Sequence, residues 1–252
     1  MGNQIVEETI KPAVSFLESI KQKDKVTIIH GHDSDSICSA AILYKLLKNL
    51  KVKAEPVISE LNSSLLESSI KKIETIKPTH TIIVDIPDVR VNVLTELRNL
   101  SKVMIVDHHI PKGYVKITYV NPRVYDRNIY LPTTYLCYKI FEKFSDPKEI
   151  SWIAGIGTLA DMGMKNCKDL FKKIKKDYQE LVGDLKPDDE TLFDNSLLGK
   201  LTQVVEGVGV IKGKEGSVFA LKNLIKSKTY KEILKNKKLV GYFNLTEKEF
   251  KK

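Results

Sequence analysis

Apolar residues recur along this chain in two rhythms, and the alternation between them predicts the architecture. Ile5, Ile10, Val14, Leu17 and Ile20 fall near helical spacing, so residues 5–20 are expected to form an opening helix, with Pro12 as a kink or a late start. A short apolar run from Val26 to His30 ends in Gly31 and predicts a strand. The apolar-rich stretch 37–50 then reads as a helix capped by Ser34, Asp35 or Ser36. Strands are predicted again at 53–58, 80–85, 102–107 and, more briefly, 116–120, with a helix over 63–76 halted by Pro78. Further helices are expected over 131–144, started by Pro132-Thr133-Thr134, and from 147 to 160.

Strands rich in β-branched residues, alternating with helices of this length, predict an α/β fold built on a mainly parallel sheet covered by helices on both faces. After Lys165 the rhythm weakens, lysines dominate, and Gly199, Gly207, Gly209, Gly213 and Gly216 punctuate the chain. A boundary is therefore placed at Met164. It separates a sheet domain, 1–164, from a small, mostly helical, lysine-rich domain, 165–252, with helices at 167–182, 189–205 and 217–234.

With 252 residues, 42% of them hydrophobic, the chain can bury a core of this kind. Its apolar runs, such as 26–29 and 81–84, are too short to cross a bilayer, and residues 1–9 lack a signal-peptide pattern. A cytoplasmic protein without a membrane partner is expected. Cys38, Cys137 and Cys167 stand far apart with no CxxC spacing, which predicts packing roles. The formal charge is +9, of which residues 165–252 carry +7. Such a bias suits a polyanionic partner, whose phosphates lysines attract without reading bases, and it equally suits plain solvated helices.

Candidate chemistry is concentrated elsewhere. Four of the five histidines lie in His30-Gly31-His32-Asp33-Ser34-Asp35 and Asp107-His108-His109, each directly after a predicted strand. Asp and His together suit two hard or borderline divalent cations, Mn2+ or Mg2+. Ligands of open α/β sheets gather beyond the carboxyl ends of strands, where Asp33 or Asp35, Asp85 and Asp107 would converge. His80, outside any cluster, is expected to be structural, and Asp88 and Asp126 to be turn residues. Arg123 and Arg127 are either bidentate phosphate donors or part of a solvated loop. Gly207-Val208-Gly209 with Lys212 lacks the order of a phosphate loop.

In sequence order the chain offers H-G-H-D-S-D-S at 30–36, V-D at 84–85, V-D-H-H at 106–109 and G-T-L-A-D-M-G at 157–163. This set resembles the four motifs of the DHH phosphoesterase superfamily over residues 26–163. The resemblance implies a two-metal site in which Asp33 helps hold the first cation and Asp35 the second, Asp85 bridges both, and His108 and Asp161 complete the coordination of the second cation. It further implies that His109 faces the substrate phosphate, that Asp107 supports the ligand beside it, and that His30 or His32 adds a first-motif ligand, with His30 favoured because it ends the strand. Two cations so held would lower the pKa of a water and clamp both oxygens of an in-line displacement.

Within that superfamily, D-S-D-S-I-C-S-A resembles the manganese-dependent inorganic pyrophosphatases, whereas G-T-L-A-D is similar to RecJ-type single-strand exonucleases. The G-G-G-H signature of many nuclease members is absent from residues 165–252. The favoured expectation is a RecJ-like phosphodiesterase trimming single-stranded DNA or RNA from an end, beside a replication or repair partner such as a helicase. A small-substrate phosphatase or short-oligonucleotide hydrolase is the second expectation, and a noncatalytic partner module of the same fold the third.

Overall fold

The computed structural model describes residues 2–60, 64–65, 68–113, 116–184 and 188–250. The chain opens in α1 (Gly2–Glu18), which continues through Pro12. Pro12 leaves the Glu8 carbonyl without its helical donor, and the Tyr125 hydroxyl donates to it at 3.4 Å. There follow β1 (Lys25–His30), α2 (Ser34–Asn49), β2 (Lys53–Ile58), β3 (Ser64–Leu65), α3 (Ser68–Ile76), β4 (His80–Val84), β5 (Asp88–Val89), α4 (Val91–Leu100), β6 (Lys102–Val106) and β7 (Thr118–Val120). Then come α5 (Thr133–Phe141), α6 (Ser151–Ala160), α7 (Lys168–Asp177), α8 (Gln179–Val182), α9 (Asp189–Asn195), α10 (Leu197–Lys226), α11 (Tyr230–Lys235) and α12 (Lys237–Phe250).

Five strands form one sheet in the order β2-β1-β4-β6-β7, every pair parallel. Successive side chains of a strand point to opposite faces, and the two faces bury different partners. Val26, Ile28, Ile82, Val84, Met104 and Val106 face a large core shared with α1, α2, α5 and α6. Ile29, Ile83, Val103 and Ile105 face a smaller one, closed by Ile70 and Ile73 of α3 and by Val93, Leu94 and Leu97 of α4. The α/β class and the covered parallel sheet expected from the apolar rhythm are thus present.

Differences are local and have physical causes. Helix α2 begins at Ser34 and is capped by Asp33, whose Oδ1 accepts the Ser36 N–H at 2.9 Å, so the cap lies one residue before the candidates read from the sequence. Ser64 and Leu65, expected in a helix, instead form β3, which pairs with β5 in a separate two-stranded ribbon; Ser63 lies outside the described residues. The helix expected over 167–182 is divided at Tyr178 into α7 and α8. All five of the glycines that punctuate this region lie inside the 30-residue α10, which breaks only at Gly213, with φ 53° and ψ −138°. Helices α4 and α12 had no counterpart in the expectations.

The expected boundary at residue 164 falls between α6 and α7. Leu170, Ile174, Leu198, Leu201, Val205 and Leu224, all beyond it, are buried in the same large core as α2 and α6. Among the described residues, no helix is long and apolar enough to cross a membrane.

Candidate metal centre

Strand register assembles the site. His30 pairs with Val84, and Val84 with Val106, so Gly31, Asp85 and Asp107 leave the sheet side by side at one edge. The ladder persists one step further, with Asp85 N–H donating to the Val106 carbonyl at 3.0 Å and Asp107 N–H to that of Val120 at 2.9 Å. Asp85 then takes a left-handed backbone, φ 55°, a conformation L-residues seldom adopt and one that a packed surrounding must hold.

Asp35 comes to the same place from the first turn of α2, and the start of α5 receives it. Thr133 N–H donates to its Oδ2 at 2.9 Å and Thr134 N–H to its Oδ1 at 2.8 Å, so the carboxylate uses two of the unpaired donors at a helix N-terminus. Thr134 Oγ1 also donates to the Asp35 carbonyl at 2.9 Å. Asp85 is held by Ser36 Oγ at 2.7 Å and Thr133 Oγ1 at 3.0 Å. Asp161 caps the end of α6 and accepts the Tyr130 hydroxyl on its Oδ2 at 2.5 Å.

His108 stands among these three acids. Its Nε2 lies 3.4 Å from Asp85, 3.5 Å from Asp161 and 3.9 Å from Asp35, while its buried Nδ1 has no hydrogen-bond partner among the described residues. Burial lowers its pKa, which keeps the imidazole neutral and able to donate a lone pair. His109 differs: its Nδ1 donates to Asp107 Oδ1 at 2.7 Å and lies 3.9 Å from Asp85. Burial pulls its pKa down, but Asp107, aided by Asp85 and Asp161, more than reverses this, and the net shift is upward. His109 is also the more open of the two, its side chain 38% exposed against 7% for His108.

The carboxylates explain what the site lacks in charge. Burial first, then Asp85 and Asp161, push the Asp35 pKa well up against the opposing Thr134 bonds. Burial and then Asp33 raise that of Asp85 to about 8. Acids crowded so tightly are stable as anions only when positive charge enters. Asp85, His108 and His109, and likewise Asp35, His108 and Asp161, each present three ligand atoms within 4.8 Å of one another, so the donor set fits divalent cations.

The remaining sequence candidates lie around this cluster. His30 is buried, and its Nδ1 donates to the Gly31 carbonyl at 2.7 Å, which leaves Nε2 as the unprotonated nitrogen; burial lowers its pKa to about 4. His32 turns its Nε2 to the Ser59 carbonyl at 2.9 Å. Asp33 caps α2 and is near enough to Asp85 to raise its pKa. Arg123 lies with its guanidinium 5.5 Å from the Tyr130 ring centroid and donates Nε to the Ile129 carbonyl at 3.1 Å, on the rim of the cluster. Arg127 is exposed in the following loop. His80 stays outside, packed edge-on against Phe16.

Several participants went unnoticed in the sequence. Thr133 and Thr134 carried a signal, since a helix start is a ready cradle for an anion. Ser36 stands inside the 30–36 motif, while Tyr130 and Glu206 carried none. Glu206 comes from α10 and accepts the Ser34 hydroxyl, and Ser217, past the Gly213 break, donates to the His32 carbonyl at 2.7 Å. Glu206 is exposed as a residue, yet its carboxyl faces inward to this loop.

The family model described as the DHH family, N-terminal domain, matches residues 25–180. Among solved structures, exonuclease RecJ bound to manganese superposes with a TM-score of 0.66 at 18% identity, over 94% of this chain and 64% of that one. RecJ from Thermus thermophilus in complex with Mn2+ gives 0.67 at 19% identity, over 94% and 37%. The DHH domain of a member of a family of ribosomal proteins gives 0.72 at 16%, over 99% and 62%. This chain therefore spans less than two thirds of each of these proteins. No curated protein sequence matches it.

Proposed function

The chain belongs to the DHH family, and from that premise we propose that it is a divalent-metal-dependent phosphodiesterase that removes nucleotides from an end of single-stranded DNA or RNA. The observation that carries this reading is the convergence of Asp35, Asp85, Asp161 and His108, with His109 as the more open side chain, at the carboxyl edge of a parallel sheet. The RecJ exonucleases share the fold, and their manganese and magnesium complexes support the same class of cation here.

Asp35, Asp85, Asp161 and His108 would hold the cations, with Asp33 and His30 beside them. The chemistry that bound divalent cations supply is a water acidified toward neutral pH and neutralised phosphate charge. Asp107 fixes the His109 ring through Nδ1, so that Nε2 is the atom turned to substrate. With its raised pKa, His109 donates from Nε2 to a phosphate oxygen and offsets the charge that builds there. Arg123, steadied over Tyr130, adds a second cationic donor on the rim.

The test is hydrolysis of end-labelled single-stranded DNA and RNA, with Mn2+ and with chelator, resolved to single nucleotides beside pyrophosphate and dinucleotide controls. Metal-dependent laddering from one end is expected. Turnover confined to pyrophosphate or dinucleotides would transfer the assignment to a small-substrate hydrolase, and silence on every substrate would sink the catalytic reading.

A further inference from the structure

Helix α7 reads K-D-L-F-K-K-I-K-K-D, and its apolar residues Leu170, Phe171 and Ile174 are buried in the large core. The opposite side is left to lysines. Lys168, Lys172 and Lys175 follow one another at steps of four and three residues, which places them on one helix face, Lys165 stands in the turn just before the helix, and all four are exposed. Lys165, Lys168 and Lys172 form no ion pair among the described residues, and Lys175 reaches only the exposed Asp184 at 3.7 Å.

The nearby acids are already engaged. Asp169 accepts the Tyr135 hydroxyl at 2.8 Å and Lys139 Nζ at 3.4 Å, and Asp177 is paired with Lys173. Among the described residues, direct pairing with an acid along the row is thus confined to Lys175. Two depressions give it a floor. A cavity of about 610 Å3 is walled by Tyr130, Lys165 and Lys168, with Asp126 and Asp169 also on its lining, and a second of about 320 Å3 is walled by Lys168, Lys172 and Lys175. They meet at Lys168. Tyr130 lines the first, and its hydroxyl bonds Asp161 of the candidate metal centre.

We propose that this row is the track along which the phosphate backbone of a single-stranded nucleic acid leaves the metal centre. The inference rests on the phosphodiesterase reading and adds to it the path of the uncut strand. From Lys168 to Lys175 the helix rises about 10 Å, close to the axial length of three nucleotides at the roughly 3.4 Å rise of a stacked strand. One line of point charges on one helix face matches one backbone, and lysines grip phosphates without regard to base, so binding along the track is indifferent to sequence. The strand, and with it affinity, extends well past the bond that is cut.

The experiment compares the full chain with a Lys165→Glu, Lys168→Glu, Lys172→Glu variant. Its substitutions are exposed and leave the core intact. Binding of a fluorescein-labelled oligothymidylate is followed by anisotropy in chelator over a series of salt concentrations, and dinucleotide hydrolysis is measured separately with Mn2+. The variant is expected to bind the strand at least about tenfold more weakly, with the slope of log affinity against log salt reduced by about two, while dinucleotide turnover is unchanged. Equal affinity and equal slope in the two proteins, or no strand binding by the unaltered chain, overturns the track. A variant that binds weakly as expected while neither protein hydrolyses anything sustains the track and defeats the phosphodiesterase reading instead.

Discussion

The chain up to Asp161 and the helices beyond Lys165 contribute to one centre in opposite ways. The first portion supplies the clustered acids and histidines by convergence: strand register brings Asp85, Asp107, His108 and His109 to a common edge, and the turn into α2 adds Asp35. The second supplies support through the backbone and loop of its neighbour, with Glu206 taking the Ser34 hydroxyl and Ser217 the His32 carbonyl. Chemistry in the first depends on residue type at fixed strand ends, while support in the second depends on a long helix arriving at the right place. The difference teaches that a region recognisable only by its charge can still complete a site.

The hardest way to break this comparison is Asp85→Asn, which removes a carboxylate shared by His108, Ser36 and Thr133 while keeping its shape. Metal-dependent hydrolysis is expected to fall by at least about a hundredfold, with strand binding in chelator unchanged; normal turnover would remove Asp85 from the metal assignment.

Acidity tests the same centre without mutation. Asp35 and Asp85 have raised pKa values in the folded chain, so above the ordinary 3.8 the folded state holds protons that the unfolded state has lost, and stability falls as pH rises toward about 8. His30, lowered from 6.5 to about 4, acts oppositely, since its contribution is lost as pH falls through that window. Between pH 6.5 and 8 the acids therefore decide the sign. Chelator-treated protein should melt at a lower temperature at pH 8 than at pH 6.5, and Mn2+ should raise the midpoint more at the higher pH. A midpoint that climbs across this window would contradict the crowding of charge.

Packing separates the two portions more gently. A Cβ on Gly157 would stand 2.3 Å from Thr134 Oγ1 and 2.9 Å from Cys38 Cβ, in the seam between α6, α5 and α2 that holds Asp35. Gly157→Ala is expected to cost about 1–3 kcal/mol in urea unfolding. Glu206→Gln, at the joint between the portions, should weaken Mn2+ binding by up to about tenfold in an EPR titration, whereas Glu215→Gln on the exposed side of the same helix should not. Smallest of all is Gly241→Ala in α12, where nothing lies within 4 Å of the added methyl; a gain of up to about 1 kcal/mol is expected from helix propensity alone.

The parallel sheet and the Asp–His convergence were legible because each rests on local information. β-branched runs mark strands, and a polar cluster straight after a buried strand has few places to go. Residues 91–100 were missed as a helix because Arg90 offers no side-chain cap and only Val93, Leu94 and Leu97 are buried, a face narrower than the pattern of α2. β3 and β5 are two residues each, too short for alternation to register. Glycines 199, 207, 209 and 216 suggested breaks because composition does not distinguish a turn from a close helix crossing; Gly207, for example, lies against Phe243 and Thr246 of α12. The Ser34–Glu206 contact joins residues 172 positions apart and leaves no mark on the local pattern.

That separation also sets a clock. The loop after β1 is made 172 and 185 residues before its partners on α10. At translation rates of about 5–20 residues per second, the loop waits roughly ten to forty seconds for its brace. The acids and histidines of the cluster are thus made before the helix that steadies them, and the loop after β1 is braced only once α10 has emerged.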